Sequence, residues 1–236
     1  AAADAAEAGL VHAPNDRDLL LAAAESRYEL GEERRALRHL QLLESVAPDH
    51  APSRYRLGIC QLRLAESGDA GETRAEMLER ARECFDIYRD MAPTDQDGWL
   101  AAGQARVQIA GTLPDGDASE QQLNEALSIW VEGEARFGAQ PEFPYRVGWC
   151  YEALGRRTPA VAGYRRAVDI EPRYPPALLA LAGLLAVDDP VATRGLLLRA
   201  VQSDISATER RMVLRWLDST GGPIPTALDS VRSAGG

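Results

Sequence analysis

Two rows of small residues run through this 236-residue chain with identical spacing. The first is Ala24, Gly58, Gly103, Gly148 and Ala182, in steps of 34, 45, 45 and 34 residues. The second is Ala2, Ala36, Ala81, Ala126 and Ala160, with the same four steps. A large apolar residue follows each later alanine by four: Leu40, Phe85, Trp130 and Tyr164, with Leu197 continuing the row after the loss of one residue. A spacing of four puts the small and the bulky residue on one helix face. Two landmarks per period imply two helices per period. One landmark lets the helices approach closely, and the other fills the neighbouring gap. The chain is therefore expected to be all-α, an array of antiparallel helical hairpins.

The clearest unit is 141–172, PEFPYRVGWCYEALGRRTPAVAGYRRAVDIEP. It resembles a tetratricopeptide repeat (TPR) at Gly148, Tyr151, Gly155, Ala160, Tyr164, Ala167 and Pro172. Gly155 fits the turn between the two helices, where a left-handed backbone is needed. Pro172 stops the second helix. The unit at 17–48 matches at Gly31, Ala36, Leu40 and Pro48, and the resemblance covers residues 1 to 204. It implies a right-handed superhelical solenoid. The sequence departs from the pattern where the first-helix aromatic is replaced by Arg27, Gln61 and Arg106. The third unit has Gly138, with Pro141 three residues later, in place of its closing proline. The fifth unit is short and lacks the turn glycine.

The expected organisation follows. Residues 1–16 read as the second half of a truncated repeat ending at Pro14, so the natural protein is expected to continue upstream of Ala1. Residues 17–204 form five hairpins. The second and third are 11 residues longer than the others, with the additions near 66–76 and 109–119. Both additions carry turn chemistry, Ser67-Gly68-Asp69 and Pro114-Asp115-Gly116-Asp117, and should be neighbours at the hairpin tips. Extra helical turns and longer loops would absorb them. Ser119–Gln122 and Ser206–Glu209 read as capping boxes. The latter opens a capping helix at 205–218, with Arg210, Arg211, Arg215 and Asp218 on its polar face. A loosely ordered tail is expected over 219–236.

Composition removes several function classes. All 26 basic residues are Arg, so no phosphate-loop, Schiff-base or kinase-type lysine exists. A net charge of −10 argues against nucleic acid as a partner. No apolar run reaches the length of a membrane span. Cys60, Cys84 and Cys150 form neither a metal nor a disulfide framework, a mild lean toward a reducing compartment. Cys60 and Cys150 recur two residues after the repeat glycine, which marks them as packing residues. His12, His39 and His50 lack ligand spacing, and Asp115 and Asp117 lack the rest of a calcium loop. Arg34-Arg35, Arg156-Arg157 and Arg165-Arg166 read as solvated outer-face charges. No cofactor and no catalytic constellation is implied.

What the resemblance implies is a concave groove lined by first-helix residues. Carried over by position, the lining includes Leu21, Glu25, Tyr28, Tyr55, Ile59 and Leu62. From the later units it adds Leu100, Gln104, Val107, Tyr145, Trp149 and Glu152. The alternative for several of these is inter-repeat core. Tyr28, Tyr55, Ile59, Leu62, Gln104, Tyr145, Trp149 and Glu152 are the binding candidates, with Tyr145 and Trp149 foremost because i and i+4 share a face. A carboxylate clamp of the kind chaperone-binding relatives use would need Lys and Asn. Those positions hold Leu21, Glu25, Tyr55, Ile59, Leu100 and Gln104. The expected role is a non-enzymatic scaffold that holds a protein or peptide segment. The rival readings are the docking module of a larger enzyme, and self-association through the repeat ends.

Overall fold

The computed structural model describes residues 2–67 and 73–220. Among the described residues there are twelve helices and no strand. They are α1 (Ala2–His12), α2 (Arg17–Glu29), α3 (Glu33–Val46), α4 (Ala51–Ser67), α5 (Arg74–Met91) and α6 (Gln96–Ala110), then α7 (Asp117–Arg136), α8 (Glu142–Ala153), α9 (Arg157–Ile170), α10 (Pro175–Leu185), α11 (Pro190–Val201) and α12 (Ala207–Ser219). They are arranged as stacked hairpins, a TPR-like fold. The chain divides into two compact units, Ala1–Ile129 and Trp130–Gly236, with the division inside α7. Within the first unit the successive helices from α1 to α6 pack on one another, and within the second those from α8 to α12 do the same.

The two landmark rows are the reason. Ala36, Ala81, Ala126 and Ala160 are fully buried, and so are Phe85, Trp130, Tyr164 and Leu197. In the second and fourth hairpins the bulky residue of the second helix lies on the small residue of the first. A Cβ built on Gly58 would stand 2.7 Å from the Phe85 ring, and one on Gly148 would stand 2.8 Å from Tyr164. No side chain larger than hydrogen fits there without moving a buried ring. Ala2 departs from its row: it is exposed at the first residue of α1, which buries Ala3 and Ala6 instead.

Turn chemistry sets the ends. Gly31 and Gly155 adopt φ of 72° and 70°, so each hairpin turn uses the backbone freedom that glycine supplies. Gly138 is not in that region, and α7 has already ended at Arg136. In the fifth hairpin, which lacks a turn glycine, Asp189 caps α11 by accepting from the Ala192 N–H at 2.9 Å. Ser206 and Glu209 form a capping box on α12. An unforeseen second box, Thr73 with Glu76, opens α5. Ser119, by contrast, caps nothing. Helix α7 starts two residues earlier at Asp117, and the Ser119 hydroxyl donates to the Ala110 carbonyl at 3.2 Å.

Much of the inserted sequence lengthens helices: α4 has 17 residues against 13 in α2, and α5 has 18 against 14 in α3. Residues 68–72 of the first insertion, and 221–236 of the tail, lie outside the described residues. The bases of the two insertions meet where Gln108 on α6 donates to Glu66 on α4 at 3.0 Å.

The two arginines that replace repeat aromatics are buried and bridge neighbouring helices. Arg27, 7% exposed, donates to both oxygens of Glu7 on α1 at 2.9 and 2.5 Å and to Glu32 at 2.9 Å. Arg106, 8% exposed, holds Asp86 on α5 through two nitrogens at 3.0 and 2.9 Å and reaches Glu125 on α7 at 3.3 Å. Each guanidinium takes the aromatic's place and ties its hairpin to the preceding second helix through a bidentate carboxylate.

Candidate protein-binding surface

The candidate surface is the row of first-helix positions in each unit. In the first unit, Leu21, Glu25 and Tyr28 lie on α2, and Tyr55, Ile59 and Leu62 on α4; Leu100, Gln104 and Val107 lie on α6. All are partly buried except Leu62, which is buried at 8% exposure and packs as a core residue. Tyr55 is half spent on the core. Its ring meets Phe85 edge-on at 5.8 Å and Tyr88 at 5.1 Å, and burial pushes its hydroxyl above the usual phenol range. Tyr28 is roofed by the Arg63 guanidinium, 4.6 Å from the ring centroid. Arg63 also pairs with Glu33 at 3.2 Å, and Arg56 pairs with Glu25 at 3.1 Å. These cross-helix pairs add two cations to a row whose own positions are apolar, aromatic or acidic, Gln104 apart. The signal available was the spacing of Arg56 and Arg63, seven residues apart on one helix face.

In the second unit the aromatic character is stronger. Tyr145 on α8 lies 5.7 Å from Tyr164 and meets Tyr174 edge-on, also at 5.7 Å. Trp149, one turn further along α8, packs partly buried against the same core. Glu152 is exposed and accepts from the Tyr164 hydroxyl at 2.5 Å. Burial, reinforced by that carboxylate, drives the Tyr164 hydroxyl well above the usual phenol range. Helix α10 contributes Leu179 and the exposed Gly183. A Cβ on Gly183 would stand 4.0 Å from the ring of Trp216 on α12, so a partly exposed indole lies beside bare backbone. Trp216 was missed because α12 reads as a polar cap. A step of 34 from Trp149 to Gly183, followed by a step of 33, reaches it.

Chemically the surface offers large, rigid, partly dry aromatic faces rather than reactive groups. All three cysteines are buried, and burial pushes each thiol up to about 12. Among the described residues no three His, Cys, Asp or Glu side chains cluster to hold a metal. No helix among them is long and apolar enough to cross a membrane.

Residues 145–173 match the family described as Tetratricopeptide repeat. No curated protein sequence is significantly similar to the chain. Solved structures with this arrangement include a thermophilic TPR protein from Thermus thermophilus. It is 19% identical, covering 87% of this chain and 98% of its own, with a TM-score of 0.61. YrrB, described as a TPR protein with an unusual peptide-binding site, is 15% identical over 92% of this chain and 100% of its own, with a TM-score of 0.60. MamA from Desulfovibrio magneticus RS-1 is 17% identical over 88% of this chain and 97% of its own, with a TM-score of 0.59. At these identities the likeness is one of fold.

Proposed function

We propose that the chain is a protein-interaction scaffold that seats a segment of a partner protein on its first-helix surface, for the assembly of a complex. One observation carries the reading. In the second unit, Tyr145, Trp149 and Trp216 stay partly exposed, and Trp216 stands beside the uncovered backbone of Gly183. Aromatic anchors of this kind dominate interface energetics, and a glycine beside them admits a partner side chain. In the first unit Arg63 covers Tyr28, and the position that matches Trp149 holds Ile59, while Tyr55 and Tyr145 are spent alike on their own cores. The second unit is therefore the better seat. The absence of lysine from the chain makes recognition of a terminal carboxylate by a lysine clamp impossible and favours an apolar or aromatic segment.

The test is affinity capture from native lysate on wild type and on a Trp149→Ala, Trp216→Ala double variant. Circular dichroism establishes that the variant is folded. A protein retained by wild type and released by the variant supports the reading. Equal retention by both would sink it.

A further inference from the structure

The second-helix side carries another feature. Two cavities of about 570 and 430 Å³ meet at Arg165 and Leu185, in a trough between α9 and α11 floored by Leu181 and Leu185 of α10. Repeat geometry alone leaves such a gap between successive second helices, so the question is what fills it. The equivalent trough between α3 and α5, in the first unit, is a polar cavity of about 290 Å³. Counting from the small residue of each helix, its Glu44, Gln61, Arg80 and Glu83 correspond to Val168, Leu185, Ala192 and Gly195. Glu44 pairs there with Arg54, and Gln61 accepts from the Cys84 thiol at 3.6 Å. Four polar side chains in one trough are thus four apolar or absent side chains in the other. A Cβ on Gly195 would meet no atom within 4 Å.

The rim supplies charge. Arg157 is occupied by Asp188 and the Leu184 carbonyl, and Arg199 donates to the Pro172 carbonyl at 3.1 Å. Arg165 is exposed and has no ion-pair partner among the described residues. With Arg199 it outweighs the one remaining acid of the trough, Asp169, so the trough is locally cationic on a chain of net charge −10. Val187 and Val191, 87% and 84% exposed, extend the apolar surface at the α10–α11 turn.

We infer that the α9–α11 trough is a second docking site, which takes an acidic amphipathic helix of a partner protein. Its aliphatic face meets Leu185 and Val161, over the buried floor of Leu181 and Val168, and its flanking Asp or Glu meets Arg165. A helix suits the trough because the walls are themselves helices, with no open backbone donors or acceptors for an extended segment. A docked helix satisfies its own backbone. Ala162, Ala192 and Gly195 let it approach closely.

The test is selection of a displayed library of helical peptides, randomised on every face, against the full chain. Enriched peptides are expected to carry aliphatic residues at i, i+4 and i+7 flanked by Asp or Glu. Gly195→Trp, which fills the trough, should weaken them at least tenfold, and Arg165→Glu, an exposed change that breaks no contact, several-fold. Arg80→Ala and the Trp149→Ala, Trp216→Ala pair should leave their affinity unchanged. The inference is overturned if no peptide is enriched, if the enriched peptides are basic, or if they are indifferent to both Gly195→Trp and Arg165→Glu. Loss of binding in the tryptophan pair instead would assign the peptides to the first-helix surface. A concentration-dependent dimer abolished by Gly195→Trp would overturn it in favour of a second copy as occupant.

Discussion

The Phe85 ring lies 2.7 Å from where the Cβ of Gly58 would be, and Phe85 is fully buried. Glycine is therefore obligatory at position 58 for steric reasons, not for backbone freedom. Gly58→Ala gains helix propensity of up to about 1 kcal/mol. It also forces a buried ring to shift, at a cost of about 1–3 kcal/mol. The net expectation is a less stable chain, read as a lower urea midpoint with unchanged slope.

Gly195→Ala is the matched control. It is also a helix-interior glycine, but its Cβ would meet nothing. The same substitution should there stabilise by about 0.5–1 kcal/mol. Opposite signs for one chemical change in one fold isolate the packing effect. Equal signs in urea unfolding would mean that the Gly58–Phe85 contact is not rigid.

Legibility in the sequence follows a physical divide. The hairpin rows were readable because van der Waals volume must recur with the repeat, so Gly58, Phe85, Gly148 and Tyr164 announce themselves by spacing. What depends on a partner from elsewhere was not. Arg27 and Arg106 read as broken aromatics because Glu7 and Asp86, which neutralise them, lie 20 residues upstream on other helices. Ser119 carries the residues of a capping box, yet Asp117 starts the helix first. Leu62 carries a groove position, but α4 runs on to Ser67 and the residue is buried. Trp216 was hidden by the charged residues beside it. The emptiness of the α9–α11 trough needs a comparison between two hairpins, which the first-helix row does not prompt.

Tyr164 separates packing from hydrogen bonding. Tyr164→Phe keeps the buried ring and deletes the hydroxyl that donates to Glu152. The loss should be about 1–3 kcal/mol, because the acceptor is charged but exposed. Tyr164→Ala should cost about 3–5 kcal/mol through the cavity beneath Gly148. Thermal unfolding of the two variants orders them, and a Phe variant as unstable as the Ala variant would contradict the assignment of the ring as the main contributor.

The cysteines should be silent in the native chain. Burial holds all three thiols at about 12, far from the thiolate form that reacts at neutral pH. A thiol-reactive chromophore is expected to label none of them rapidly in buffer and all three in denaturant. Fast native labelling at one position would place that cysteine outside the core.

Glu7 provides the acid-side test. The hydrogen bonds from Arg27, then the contact with His39, hold its carboxyl at about 2, against about 4.3 for an ordinary glutamate. A carboxyl depressed in the folded state binds fewer protons there than in the unfolded chain. Its stabilisation is therefore complete above about 4.3 and is lost as pH falls from there through about 2. Glu7→Gln should lower the thermal midpoint near neutrality, because the buried Arg27 loses its bidentate partner. It should also flatten the decline of the midpoint across that acid window relative to wild type. Glu7 is partly exposed, so added salt should shrink the neutral-pH difference between the two proteins. Parallel acid limbs in wild type and variant would mean that Glu7 titrates as a free carboxyl and that Arg27 is held by Glu32 and Asp4 instead.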